Sequence, residues 1–342
     1  MILGHSPLGM HWPTLDPFLF CAHHDDRYPR GNGRFGPAAA LDGRQIGSDF
    51  SRKDGWSMYH GDQVPGFPAH PHRGFETVTL VRRGRIDHSD SLGAAARFGD
   101  GDVQWLTAGR GIVHAEMFPL LDQQHDNPAE LFQIWLNLPG RRKMCAPHFS
   151  MLWADTLPRA AVPDAEGRVT HVAAVAGRLP GLSALAAPPS PPPDSWASEP
   201  DADVGIFTLA LDAGASFRLP AAAGPRTQRV LYFFAGQGLR LEGQAVDDPA
   251  ALQVDATRSP LLENRGDGVV ELLVLQGRPI GEPVAQNGPF VMNTKAEVQA
   301  AFADYQRTRF GGWPWDSDGP VHGGDGARFA RRPGGEREVP RS

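Results

Sequence analysis

The sequence predicts an all-β chain, built as two tandem antiparallel β-barrels with a short C-terminal helix. Three observations predict it. Short apolar, β-branched runs recur with glycine turns beside them, as at 76–81 before Gly84 and at 103–108 after Gly101. The same strand-then-glycine rhythm returns in the second half, at 204–211, 228–236 and 271–277. A convincing helical period occurs at one place, after Thr294.

In chain order, residues 16–21 form a short apolar strand candidate, and His23-His24-Asp25-Asp26 follows it. Neighbouring residues on a strand face opposite ways, so that cluster makes no compact metal site by itself and reads as a polar loop. Residues 28–50, rich in Gly, Pro, Asn and Arg, read as loop, with Arg30, Arg34 and Arg44 solvated at a surface. Trp56, Met58 and His60 alternate with Ser57 and Tyr59 as on a half-buried strand, which would turn His60 inward as a satisfied barrel histidine. Next come strand candidates at 76–81, 85–90 and 103–108, separated by tight Gly/Asp turns. An apolar strand at 131–136 carries Gln133, and Arg141-Arg142-Lys143 makes a basic turn.

A strand at 169–177 opens the second half, and a proline-rich exposed loop at 186–194 precedes the second barrel. No histidine lies between His171 and His322, so a set of three imidazoles cannot be assembled there. Thr294 and Glu297 have the spacing of a capping box. Val298, Ala301, Phe302 and Tyr305 then share one helical face, which should pack on a barrel wall. The expected domains are a metal-binding barrel at 1–160, a second barrel without metal ligands at 161–315, and a disordered tail at 316–342.

The chemistry concentrates between Gly66 and Met117. One piece reads His70-Pro71-His72-Arg73-Gly74-Phe75-Glu76, the other His114-Ala115-Glu116. Residues two apart on a strand share a face, so each piece presents a pair of ligands to one side. If the two strands face each other across one small barrel, His70, His72, His114 and Glu116 converge. Three imidazoles and a carboxylate without thiolate suit a divalent ion such as iron, nickel, manganese or zinc. Gln133 could face the same cavity and hydrogen-bond a bound oxygen species, or be satisfied by backbone.

Composition sets bounds on function. The formal net charge of -6 gives no basic surface for nucleic acid. Cys21 and Cys145 alone make no disulfide framework, and the chain suits a reducing compartment. The start lacks a basic segment followed by a long apolar one, and no apolar run is long enough to span a bilayer. The expectation is a soluble cytoplasmic protein that engages neither membrane nor nucleic acid.

The piece His-x-His-x-x-x-Glu, and Gly101 followed by Ala108-Gly109 and His114, resemble the two cupin motifs. More narrowly, residues 70–78 and 101–117 resemble the pirin family, as do 132–139 and 288–294. The resemblance implies two cupin-type barrels, a bicupin. It makes Glu116 the fourth ligand and moves Glu76 behind the ligands, orienting a histidine or holding a strand. It further implies Fe(II) as the cofactor, with Ni, Mn, Zn or Cu as alternatives. In some members it implies a dioxygenase of the quercetin 2,3-dioxygenase type acting on a small aromatic substrate, with Glu116 as catalytic base. The other reading it implies is a non-enzymatic regulator whose iron state controls binding to a protein partner. A metal-stabilised structural bicupin without turnover is the third.

Overall fold

Period-two burial organises both halves of the chain. Along Gly205–Leu211, Phe207, Leu209 and Leu211 are buried in one core, with Leu231 and Phe233 of Gln228–Ala235 and Leu272 and Val274 of Val270–Gly277. These three strands pair antiparallel, with Phe207 opposite Val274 and Leu231 opposite Val274. In-register pairing keeps every apolar side chain on one face. The computed structural model describes residues 2–341, which form two compact units, 2–22 with 155–281 and 23–154 with 282–341. The first holds a seven-stranded and a four-stranded antiparallel sheet.

The units interleave in sequence, unlike the contiguous 1–160 and 161–315 of the expectation. The cause is local. Ile2–Pro7 pairs antiparallel with Ala250–Val254, so the chain start belongs to the sheet of the second half. The segment 282–315 belongs with the first half. The tail also differs from a disordered segment, because Phe329–Arg331 adds a short strand to Ala95–Gly99.

The second unit has a five-stranded sheet, in the order His148–Leu152, Val103–Thr107, Phe75–Arg83, Asn127–Asn137 and, from His23 onward, Phe18–Tyr28. Its six-stranded sheet runs Arg337–Glu338, Phe329–Arg331, Ala95–Gly99, Arg85–Asp90, Ile112–Met117, Gly66–His72. Val81, Leu106, Leu131 and Phe149 of the first sheet share one buried core with Ile86, Phe98 and Ile112 of the second. The inward face then changes character within two residues of that core. Val81 gives way to Thr79, Leu131 to Gln133, Ile86 to His88 and Ile112 to His114. One end of the barrel is therefore apolar and the other is polar.

Three local readings are corrected. The segment 23–26 is strand, not loop, and alternation divides its groups: His23 meets Glu130 at 3.0 Å, while Asp26 accepts from the Tyr59 hydroxyl at 2.6 Å. Arg44 is buried rather than solvated, bonded to Asp49 at 2.9 Å with its guanidinium 3.4 Å from the Trp56 ring centre. Residues 56–60 form no strand. Tyr59 has φ 56° and His60 is exposed, its Nδ1 2.8 Å from the Gly47 carbonyl, so it does not face the barrel interior.

The helix Lys295–Thr308 starts as expected, with the Thr294 side chain accepting from the Glu297 amide and the Glu297 carboxylate accepting from the Thr294 amide. It packs on the hairpin Ala285–Asn287 and Phe290–Met292, with Phe302 edge-on to Phe290 at 4.7 Å. Thr294→Ala is expected to cost about 1 kcal/mol, read as a lower urea midpoint with an unchanged slope. Among the described residues no helix is long and apolar enough to cross a membrane.

Candidate metal centre

Gly66–His72 and Ile112–Met117 do not face each other across the barrel. They are antiparallel neighbours, with His70 directly opposite His114. Opposed residues on adjacent strands project to the same face a few ångströms apart, so pairing brings the ligands together. The ring centres of His70 and His114 lie 4.4 Å apart, those of His70 and His72 4.8 Å, and those of His72 and His114 4.9 Å. One nitrogen from each ring falls within 4.8 Å of the others.

The residues fit a cation. Nδ1 of His72 and both nitrogens of His114 are buried without a hydrogen-bond partner. Such an unmet polar atom costs about 1–3 kcal/mol, and a cation that accepts the lone pair removes that cost. Nδ1 of His70 is 2.8 Å from the Pro68 carbonyl, and an N–H donated there leaves Nε2 with its lone pair free. Burial lowers the pKa of His70 to about 4 and those of His72 and His114 well below 6.5, and repulsion among the imidazoles adds to the shift. The rings are therefore neutral at physiological pH, the form that binds metal. A donor set of imidazoles without thiolate selects borderline divalent ions over soft ones.

Glu116 lies on the same face as His114 but stands apart from the three-imidazole group. One carboxyl oxygen is 2.8 Å from the Thr79 hydroxyl, and the other accepts from Gln133 Nε2 at 2.8 Å. Thr79 Oγ1 is also 2.6 Å from Gln133 Oε1. A hydroxyl has one hydrogen to give, so Thr79 donates to one of these two oxygens at a time. Burial raises the Glu116 pKa, while the bonds from Thr79 and Gln133 oppose it.

The remaining expected site residue lies elsewhere. Glu76 projects to the face of its strand opposite Thr79 and accepts from the Thr107 hydroxyl of the adjacent strand at 2.7 Å. That bond ties two neighbouring strands of the sheet together. Sequence reasoning passed over Thr79 and His88. The fully buried His88 lies opposite Glu116, 5.6 Å from the His114 ring, between Asp90 at 3.2 Å and Gln104 at 3.3 Å. The parity shared by Ile86, His88 and Asp90 is the sequence signal for it.

The turn after His72 is fixed from several sides. Gly74 has φ 86°, and a Cβ there would meet the Val291 carbonyl at 2.0 Å, so only glycine fits. The Arg73 guanidinium donates to the Arg110 carbonyl at 2.6 Å and to Asp304 of the helix at 2.9 Å. Phe75 and Trp135 flank His72 at 5.0 and 5.4 Å.

Comparison with known proteins places this geometry in a family. The pirin family model matches residues 7–136, and that of the pirin C-terminal cupin domain matches 206–311. A pirin-like protein of Caulobacter vibrioides is 38% identical over 256 residues, which cover 73% of this chain and 82% of the relative. A Pseudomonas aeruginosa protein named "Putative quercetin 2,3-dioxygenase" is 34% identical over 248 residues, 72% of this chain and 80% of that one. The crystal structure of a quercetin 2,3-dioxygenase from Acinetobacter baumannii superposes with a TM-score of 0.68 at 24% identity, over 91% of this chain and 98% of the other, a likeness of fold. Two matched domains and relatives aligned over most of their length show that this chain, a two-domain cupin protein, belongs to the pirin family.

Proposed function

We propose that His70, His72, His114 and Glu116 hold a divalent metal ion, Fe(II) foremost, and that the site oxidises a small planar aromatic substrate of the flavonol type with dioxygen. The observation that carries this reading is the gathering of three imidazoles, two of them buried with unpartnered nitrogens, beside a buried carboxyl group. The name of the Pseudomonas relative supports the choice of substrate. When bound, the ion supplies Lewis acidity toward a substrate oxygen and a place for dioxygen. Glu116 takes the proton of the flavonol hydroxyl, for which its raised pKa suits it. Phe67, half-buried and 6.4 Å from His70, and Trp135, half-buried beside His72, offer ring faces on which a flat substrate can stack.

The test is an aerobic assay of Fe(II)-loaded protein with quercetin. Dioxygen uptake with release of carbon monoxide is expected, and Glu116→Gln should lower turnover by at least about 100-fold. Metal-loaded protein that consumes no dioxygen with quercetin would favour the regulatory reading. That reading fits the bond from Arg73, next to His72, to Asp304 on a helix with an exposed face.

A further inference from the structure

Glu116 is held by a pair of residues that belong to the other sheet. Thr79 and Gln133 are directly opposed on Phe75–Arg83 and Asn127–Asn137 of the five-stranded sheet, whereas Glu116 stands on Ile112–Met117 of the six-stranded one. The three side chains close a ring of contacts at 2.8, 2.8 and 2.6 Å. Thr79 and Glu116 are both almost fully buried, so water offers little competition for these bonds. Both carboxyl oxygens are engaged, and the three imidazoles gather without them.

We infer that Thr79 and Gln133 form a latch that draws the Glu116 carboxyl group off the three-histidine cluster, so that Glu116 reaches a bound ion only by giving up these bonds. The inference rests on the metal site proposed above and deepens it. A carboxylate bound firmly to a cation is a poor base, because its lone pairs are engaged. One held alongside by neutral partners keeps a lone pair on each oxygen to receive a proton, and leaves open the coordination position it would otherwise fill. Thr79 and Gln133 are positioning residues in this account, since they act through Glu116.

The test titrates Co(II) alone into metal-stripped protein and reads both its affinity and its visible absorption. Thr79→Val and Gln133→Leu free the carboxylate. Each is expected to bind Co(II) roughly 10-fold tighter, with an absorption spectrum changed by the added oxygen ligand. Thr79→Ser restores the hydroxyl and should return both readings to those of the wild type. In a Glu116→Gln background Thr79→Val should leave Co(II) affinity unchanged, because the group it releases is no longer a carboxylate. Thr79→Val is nearly isosteric, so it carries the test even if Gln133→Leu does not fold. Unchanged or weaker binding in Thr79→Val, with normal uptake by the wild type, overturns the latch and leaves the metal site standing. Wild-type protein that takes up no Co(II) overturns both.

Discussion

Replacing His114 with leucine is expected to abolish metal uptake and, in metal-stripped protein, to raise stability. His114 is fully buried, with neither ring nitrogen hydrogen-bonded. Leucine fills a similar volume among the rings of His70, His72 and His88 and leaves no unmet polar atom. The expected gain is about 1 kcal/mol or more, some 2–4 °C in Tm. Affinity for Fe(II) or Ni(II) should fall by at least about 100-fold, since loss of a ligand outweighs loss of a group that only supports one. Thermal unfolding with and without chelator separates the two effects. The metal-stripped wild type should also lose stability in acid. Burial lowers the folded pKa of His70 from 6.5 to about 4, so between those values the unfolded chain binds more protons than the folded one. Stability then falls as pH drops through that window, by up to about 3 kcal/mol for this residue. His72 and His114 act in the same sense, so His114→Leu should show a shallower decline. A chelated leucine variant less stable than the wild type would mean that the His114 nitrogens are satisfied after all.

The shared faces of the candidate ligands were legible because strand alternation is a local rule. His70 and His72, or His114 and Glu116, share a face whatever the rest of the chain does. The neighbour relation of their two strands was not legible, since pairing is decided by contacts distant in sequence. The same holds for Thr79, which reads locally as one more β-branched strand former in 76–81 and gains its role only where the barrel brings Glu116 to it. The start of the helix was readable to the residue because a capping box is complete within four positions. The tail was misread for the opposite reason: Phe329–Arg331 is too short for a period to show, and what orders it is a partner strand more than two hundred residues earlier. Buried charge was the least legible of all. Arg44 reads as solvent-facing in a Gly- and Pro-rich stretch, and only Asp49 and Trp56 in space make its burial tolerable.

Lys143, which closes a run of three basic residues, shows how far that blindness reaches, and Lys143→Met is expected to cost about 3–5 kcal/mol. Its ammonium group is almost fully buried and donates to the Gly74 carbonyl at 2.8 Å, Asn137 Oδ1 at 2.7 Å and the Val291 carbonyl at 3.0 Å. One cation thus ties the turn after His72, the end of Asn127–Asn137 and the hairpin strand Phe290–Met292. Burial lowers its pKa to about 8, with Glu282 and Glu297 acting the other way, so it carries its charge at neutral pH. Methionine matches the stem but donates nothing, which leaves acceptors that the lysine now serves. Urea denaturation measures the loss. Hydrogen exchange locates it: the amides of Gly74 and Val291, bonded to the carbonyls of Gly109 and Arg73, should exchange faster, while that of Val78 inside its strand keeps its protection. Because Gly74 lies two residues after His72, metal affinity should also fall, by about 10-fold, without any ligand having been changed. A variant as stable as the wild type would mean that water replaces the ammonium group at all three acceptors, and that the turn carrying His72 holds its shape unaided.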